Sequence, residues 1–447
     1  MAGLMAGAAK MDITPLLGVS IAGLFHDRRA EDVSDPLHAK AVVLDNGECR
    51  LAMVILDLIG ISGEYVQAIR ALVTESTGIP GENVLIACTH THTGPTIQDI
   101  YDCKHDEEYV QWMIRRVADT VTIANRRLQP ARIGWGEGSL PEHLFCRRFR
   151  MRDGTVKMNP GRGNPDAIEP TSPIDPAVGV LYIEDMNGTP LAVVARYSLH
   201  YVGTDNSKAI SADYFAHFAD IMGQALGTDC TTLLFNGTSG QINNVDVKGG
   251  APQASGHKQA RRVATALAGE VLKVIGSMRL VDSCALATAL EKIMLPRVKI
   301  TEEDLKAAEY ILEHGEAPND KPFSWLVGPI SGPMLKISAE DTPVLAAMPP
   351  ELPSEIQVLR IGDSAWVSLP GEIFTEIGIA IRKGSPTPYT FPVELANDNL
   401  GYIPTDHALL HEGGYETFAS RWSPLGPGSE GVLRETALKL LKQLFEA

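Results

Sequence analysis

Apolar positions along this chain follow two periods. Short runs bounded by Gly, Pro, Asn or Asp mark strands, and longer stretches with apolar residues three and four apart mark helices. The strand pattern shows at 51–58, an apolar run that closes on Asp57-Leu58, and in two hairpins. One joins 178–184 to 191–200 through Asn187-Gly188, a dipeptide suited to a type I′ turn; the other joins 356–361 to 365–369 through Gly362-Asp363. Residues 83–87 and 232–235 read as further short buried strands. Helical periodicity covers 64–77, 107–127, 214–226, 258–275, 373–382 and 430–445. Another helix starts after Thr301, an N-cap followed by Glu302, Glu303 and Asp304, and runs to about His314.

Hairpins mixed with strand–helix alternation predict an α/β (α+β) chain with mixed sheets, not a doubly wound parallel sheet. Residues 315–353 are rich in Pro, Gly and acidic side chains. They read as a solvated surface loop, with a lid or an oligomer contact as the alternative. No internal repeat is apparent. The expected organisation is one large domain over 1–447, with an excursion at 315–353 and a C-terminal helix at 430–445, although the length would also hold two or three ordinary domains.

Composition acts by exclusion. The chain is 44% hydrophobic and 21% charged, the balance of a globular protein. Its net charge of −16, without a Lys/Arg tract, argues against nucleic acid and against anionic membrane surfaces as partners. No apolar stretch is long enough to span a bilayer, so stable membrane insertion is not expected. Residues 1–9 lack the basic start of a signal peptide. The cysteines at 49, 88, 103, 146, 230 and 284 are scattered, with no Cys-x-x-Cys, and read as reduced thiols of a cytoplasmic protein. Phosphate-loop and Gly-x-Ser-x-Gly patterns are missing, which removes support for nucleotide phosphate cofactors and for a serine hydrolase.

Candidate chemistry starts at Thr89-His90-Thr91-His92-Thr93-Gly94-Pro95. In extended chain His90 and His92 share a face, so two imidazoles would project together at a strand end. Neutral imidazole is a preferred zinc ligand. Three more places sit at the ends of predicted elements: His200, Glu372 in Leu369-Pro370-Gly371-Glu372, and Tyr402 in Gly401-Tyr402. Taken singly, His200 also reads as a satisfied buried histidine, Glu372 as a helix-start acid and Tyr402 as a packing residue. Asp213 and Asp57 are candidates for orienting the imidazoles, or simply helix-start and turn carboxylates.

Read together, Asp12-Ile13-Thr14-Pro15, Asp35-Pro36-Leu37-His38-Ala39-Lys40, the His-x-His segment, Leu369-Pro370-Gly371-Glu372 and Gly401-Tyr402 occur in an order that resembles the catalytic domain of the neutral/alkaline non-lysosomal ceramidases. The resemblance runs from about Ala9 to about Gly428. It implies face-to-face mixed sheets with helices outside, and a zinc amidase acting through metal-activated water. By resemblance the zinc ligands fall on His90, His200, Glu372 and Tyr402, with His92 as a catalytic neighbour. A family arginine that grips the scissile carbonyl falls on Arg147, or on its neighbour Arg148, and a second family tyrosine on Tyr415, about one residue out of register. Glu372 would also move the proton while ligated through one oxygen.

Three departures bear on substrate. No signal peptide is expected, no β-sandwich follows the catalytic part, and Gly240-Gln241-Ile242-Asn243-Asn244 stands where the family has a serine after a Gly-Asp pair. No amphipathic docking segment is visible either. The implied function is therefore a Zn2+-dependent hydrolase of a small-molecule or amphipathic amide other than membrane ceramide. The alternative is a metal-dependent hydrolase or lyase acting on an ester, lactone or glycosidic C–O bond. Two occupied imidazole positions favour zinc over magnesium or calcium. Homo-oligomerisation is left open.

Overall fold

Two large sheets carry the chain in the computed structural model, which describes residues 3–250 and 253–446. The eight-stranded sheet runs Thr231–Asn236, Pro190–Tyr197, Ala177–Asp185, Gln129–Ser139, Met5–Asp12, His38–Asp45, Arg50–Leu56, Val84–Cys88. Its joints are antiparallel except at the two edges, where Thr231–Asn236 and Val84–Cys88 each lie parallel to their neighbour. The four-stranded sheet runs Leu286–Pro296, Glu351–Ile361, Ser364–Ser368, Tyr389–Val393, and again only the last joint is parallel.

Set out in chain order, strand, strand, strand, helix, strand, helix occurs three times. The helices are Gly63–Thr77 and Glu107–Arg126 in the first unit, Tyr214–Leu226 and Gly256–Gly276 in the second, Thr375–Gly384 and Ser429–Phe445 in the third. In each unit three antiparallel strands are followed by a crossover helix and a fourth, parallel strand. The first two units fuse into the eight-stranded sheet through two residue pairs, Met5↔Pro130 and Ala6↔Gln129. The structure thus repeats where no repeat is legible in the sequence, because what recurs is the order and direction of the elements.

The third unit packs its sheet face to face on the other two. Leu4, Val42, Met53, Leu181, Val194 and Phe235 meet Leu359, Ile361, Trp366 and Phe391 in that inter-sheet core. The helix pairs cover the outer faces in three further clusters. Mixed α/β character and helices outside face-to-face sheets are as expected. The elements also obey local rules. Asp106 caps the helix Glu107–Arg126 by accepting from the Tyr109 amide, and Thr301 and Asp304 form a reciprocal capping box.

The excursion corrects a sequence expectation. Residues 315–353 are not a solvated loop: they hold the helix Pro333–Ala347, which packs on Glu302–His314. Phe323, Leu326, Ile330, Leu335 and Ala339 are buried with Ala307, Ala308 and Ile311 in a small core of their own. Pro343 inside that helix, with Pro and Gly ahead of it, hides the helical period. Among the described residues, no helix is long and apolar enough to cross a membrane.

Candidate active site

The parallel strand pairs of all three units point their carboxyl ends at one place, the location where open α/β sheets hold ligands. His90 and His92 follow Val84–Cys88, His200 follows Pro190–Tyr197, Glu372 follows Ser364–Ser368, and Tyr402 follows Tyr389–Val393. A short parallel pair sets Glu372 opposite Tyr402 and Ile373 opposite Ile403.

Four donor atoms converge there. His90 Nε2 lies 3.2 Å from His200 Nε2 and 3.2 Å from His92 Nε2. Glu372 Oε2 lies 3.3 Å from His90 Nε2 and 3.6 Å from His200 Nε2. The nitrogens of the three histidines lie within 4.8 Å of one another and are placed to hold a metal ion. Glu372 Oε2 is buried with no hydrogen-bond partner. An orphaned carboxylate oxygen among imidazoles is costly unless a cation completes it. The donor set, imidazole nitrogens and carboxylate oxygen, suits zinc. Burial first, then the neighbouring His90, pushes the pKa of His92 and of His200 well below the ordinary imidazole value.

The two histidines of the pair meet for a different reason from the one their spacing suggests. The strand ends at Cys88, and His90 adopts a left-handed φ of 64°. The pair therefore sits on a strained turn just past the pleat. The turn is pinned from both sides. His90 Nδ1 lies 2.6 Å from the Ile59 carbonyl, which directs Nε2 at the cluster. Thr91 and Thr93 donate their hydroxyls to the Ser211 carbonyl, at 2.5 and 3.0 Å. Ser211 in turn donates from its hydroxyl to Asp35, whose other oxygen accepts from the Ala212 amide. Asp35 of the Asp-Pro-Leu-His motif thus buttresses the histidine turn from a distance. His92 stacks on Tyr201 with ring centroids 3.7 Å apart, and Arg28 donates to the His92 carbonyl at 2.9 Å.

Asp213 and Asp57 do not orient imidazoles. Asp213 accepts from the amides of Val202, Gly203 and Tyr214, tying down the loop after His200 and capping a helix. Asp57 accepts from the His38 amide at 2.8 Å and lies 3.6 Å from Lys40 Nζ. The backbone carbonyl of Ile59 takes the orienting role at His90, and a carbonyl leaves no residue-type signal in sequence.

Beside the cluster lies a cavity of about 370 Å³, lined by all seven residues singled out above: His90, His92, His200, Glu372, Tyr402, Arg147 and Tyr415. The lining also includes Leu24, Phe25, Ile97, Tyr101, Met158 and Trp422, and the amides Asn159, Asn243 and Asn244. Of the arginine pair, Arg147 lines the cavity, donating to the Tyr402 phenol oxygen at 3.0 Å and the Gly240 carbonyl at 2.8 Å. Arg148 is wholly buried and turned away, bound to the Gly413 carbonyl, Glu412 and Glu416. Tyr402 and Tyr415 meet edge to face at 5.6 Å. Burial first, then the Glu372 carboxylate, pushes the Tyr415 phenol up, so it stays protonated and able to donate. Burial likewise raises Tyr402, with Arg147 opposing. Glu416, whose carboxylate joins Arg147 to Arg148, was not singled out from sequence; a buried acid two residues past a Gly-Gly pair carries no pattern.

Architecture and site together define a mixed α/β sandwich with a histidine cluster placed for a metal ion. Comparison with known proteins gives its relatives. No family model matches the chain. A stretch of 179 residues, 38% of the chain, is 26% identical to neutral ceramidase from Pseudomonas aeruginosa and spans 25% of that protein's length. The crystal structure of neutral ceramidase from Pseudomonas aeruginosa matches over 100% of this chain and 75% of its own, with a TM-score of 0.74 at 19% identity. A ceramidase complexed with C2 matches with the same score and identity, over 100% of this chain and 76% of its own. The resemblance drawn from the ordered motifs is borne out, in sequence over that stretch and in fold over the chain.

Proposed function

We propose that this chain is a zinc-dependent hydrolase that cleaves an amide (N-acyl) bond, ceramidase-like in its chemistry but acting on a small or amphipathic amide other than membrane ceramide. The convergence of imidazole Nε2 atoms on an unpartnered Glu372 oxygen carries this reading. His90, His200, Glu372 and Tyr402 would hold the ion. When bound, zinc supplies a Lewis acid and lowers the pKa of a coordinated water to about 7.

The chain's own residues supply the rest. Glu372, bound through one oxygen, keeps the other to accept the proton of the attacking water and return it to the leaving amine nitrogen. Arg147, Tyr415 and His92 face the cavity as donors to the oxygen on which charge develops. The cavity volume, about 370 Å³, lies at the low end for small-molecule sites, and its mixed lining of apolar and amide side chains suits a small or amphipathic substrate.

The test is metal analysis joined to a substrate panel. Purified protein should carry about one zinc per chain, hydrolyse N-acyl amines in preference to esters, lactones and glycosides, and lose activity on chelation and in His90→Ala. A folded, metal-free preparation with undiminished turnover would overturn the proposal. Preference for an ester or glycoside would move the activity to a C–O bond.

A further inference from the structure

One buried carboxylate beside the cavity is unused by the chemistry above. Glu416 is wholly buried and bridges two arginines that are adjacent in sequence. Arg147 Nε donates to its Oε1 at 2.8 Å, and Arg148 Nη1 donates to its Oε2 at 3.0 Å. Burial alone would raise the pKa of Glu416, and the two guanidinium groups outweigh it, holding the carboxyl below its ordinary value and so ionised. Arg148 is itself fixed by the Gly413 carbonyl, by Glu412 and by the Phe374 ring, 5.2 Å from its guanidinium carbon. Nothing in this arrangement is free to turn.

The consequence falls on Arg147. With Nε held by Glu416 and Nη2 held by Tyr402 and the Gly240 carbonyl, the plane of the guanidinium is set. Nη1 has no hydrogen-bond partner among the described residues, and the side chain lines the cavity. A planar fork with two corners occupied presents its third in one direction only.

We propose that Glu416 is a positioning residue: it orients Arg147 so that Nη1 meets the acyl oxygen of the substrate and of the carboxylate product, with Arg148 as the counter-charge that locks it. The role given to Arg147 rests on the amide-hydrolase reading, and the test lets either idea fail alone. Wild type, E416Q, R147M and the double variant are compared for hydrolysis of an N-hexanoyl amine, for hexanoate binding by calorimetry and for zinc content. E416Q should lower kcat by about 10- to 100-fold with KM and zinc content little changed, and weaken hexanoate about tenfold, the scale of one misplaced oxyanion donor. In the R147M background the same change should do almost nothing, since coupled residues are not additive. Should E416Q not fold, E416D keeps the charge but withdraws it from Nε, and is read by the same assays with the same expectation. Equal losses from E416Q in both backgrounds, or no loss in wild type, would overturn the proposal. Non-additive hexanoate binding in a protein that hydrolyses no N-acyl amine would uphold the positioning and sink the amidase reading.

Discussion

In Thr89-His90-Thr91-His92-Thr93 neighbouring side chains do opposite work. Thr91 and Thr93 turn inward onto the Ser211 carbonyl, and the histidines turn to the cavity. The alternation was legible, but the left-handed turn at His90 was not, because a single positive φ outside glycine leaves no compositional mark. The proposed division between ligand and neighbour gives a direct expectation. His90→Ala and His200→Ala should lose the ion as well as turnover, whereas His92→Ala should keep about one zinc per chain and lose roughly 100-fold or more in kcat, as read by metal analysis beside kinetics. Gly23 sets a second expectation. It has a φ of 106°, and a Cβ there would lie 2.7 Å from the His92 ring. Gly23→Ala should displace His92 and, through backbone strain, cost on the order of 1–3 kcal/mol in chemical unfolding.

At the scale of elements, strong periodicity gave helices to within a residue or two, as at Glu107–Arg126 and Tyr214–Leu226. Among the strands that went unread is one with small residues on one face. Gln129–Ser139 carries Gly134, Gly136 and Gly138, and a Cβ at Gly138 would meet the Glu270 carboxylate at 2.2 Å. Close approach of a helix, rather than hydrophobicity, selects those residues, so an apolar count misses the strand. The helix Thr375–Gly384 carries a titration that can be tested. Burial raises the Glu376 pKa from 4.5 to about 7, and its carboxylate accepts from Gln241 at 2.6 Å. Between those values the folded chain keeps a proton that the unfolded chain has released. The associated stability is therefore complete below about pH 4.5 and is lost as pH rises through about 7. The urea midpoint of wild type should fall across that window relative to Glu376→Gln, which keeps an acceptor for Gln241 and carries no charge.

The whole molecule is held where its units meet. Arg196, fully buried on a strand of the second unit, pairs with Asp175 at 2.8 Å and donates to the Pro392 carbonyl of the third unit at 3.0 Å. Asp175 also binds Arg382, at 2.6 Å, on the third unit's crossover helix. Removing one member of such a buried network strands the others' charge. Asp175→Asn should therefore destabilise the fold by about 3 kcal/mol, with a drop in thermal midpoint by calorimetry and no change in zinc stoichiometry of the protein that remains folded. This layer of organisation was the least legible in sequence. The ordered motifs located the cluster, yet the threefold recurrence lies in strand order and direction, which residue identity does not encode.

Dividing the donor set among three successive units has a consequence for biosynthesis. The ribosome delivers the imidazoles by residue 200 but the carboxylate only at Glu372, after three of the four strands of the second sheet have been made. A growing polypeptide therefore carries an unfinished trio of histidines from residue 200 to residue 372, before the carboxylate that faces them exists.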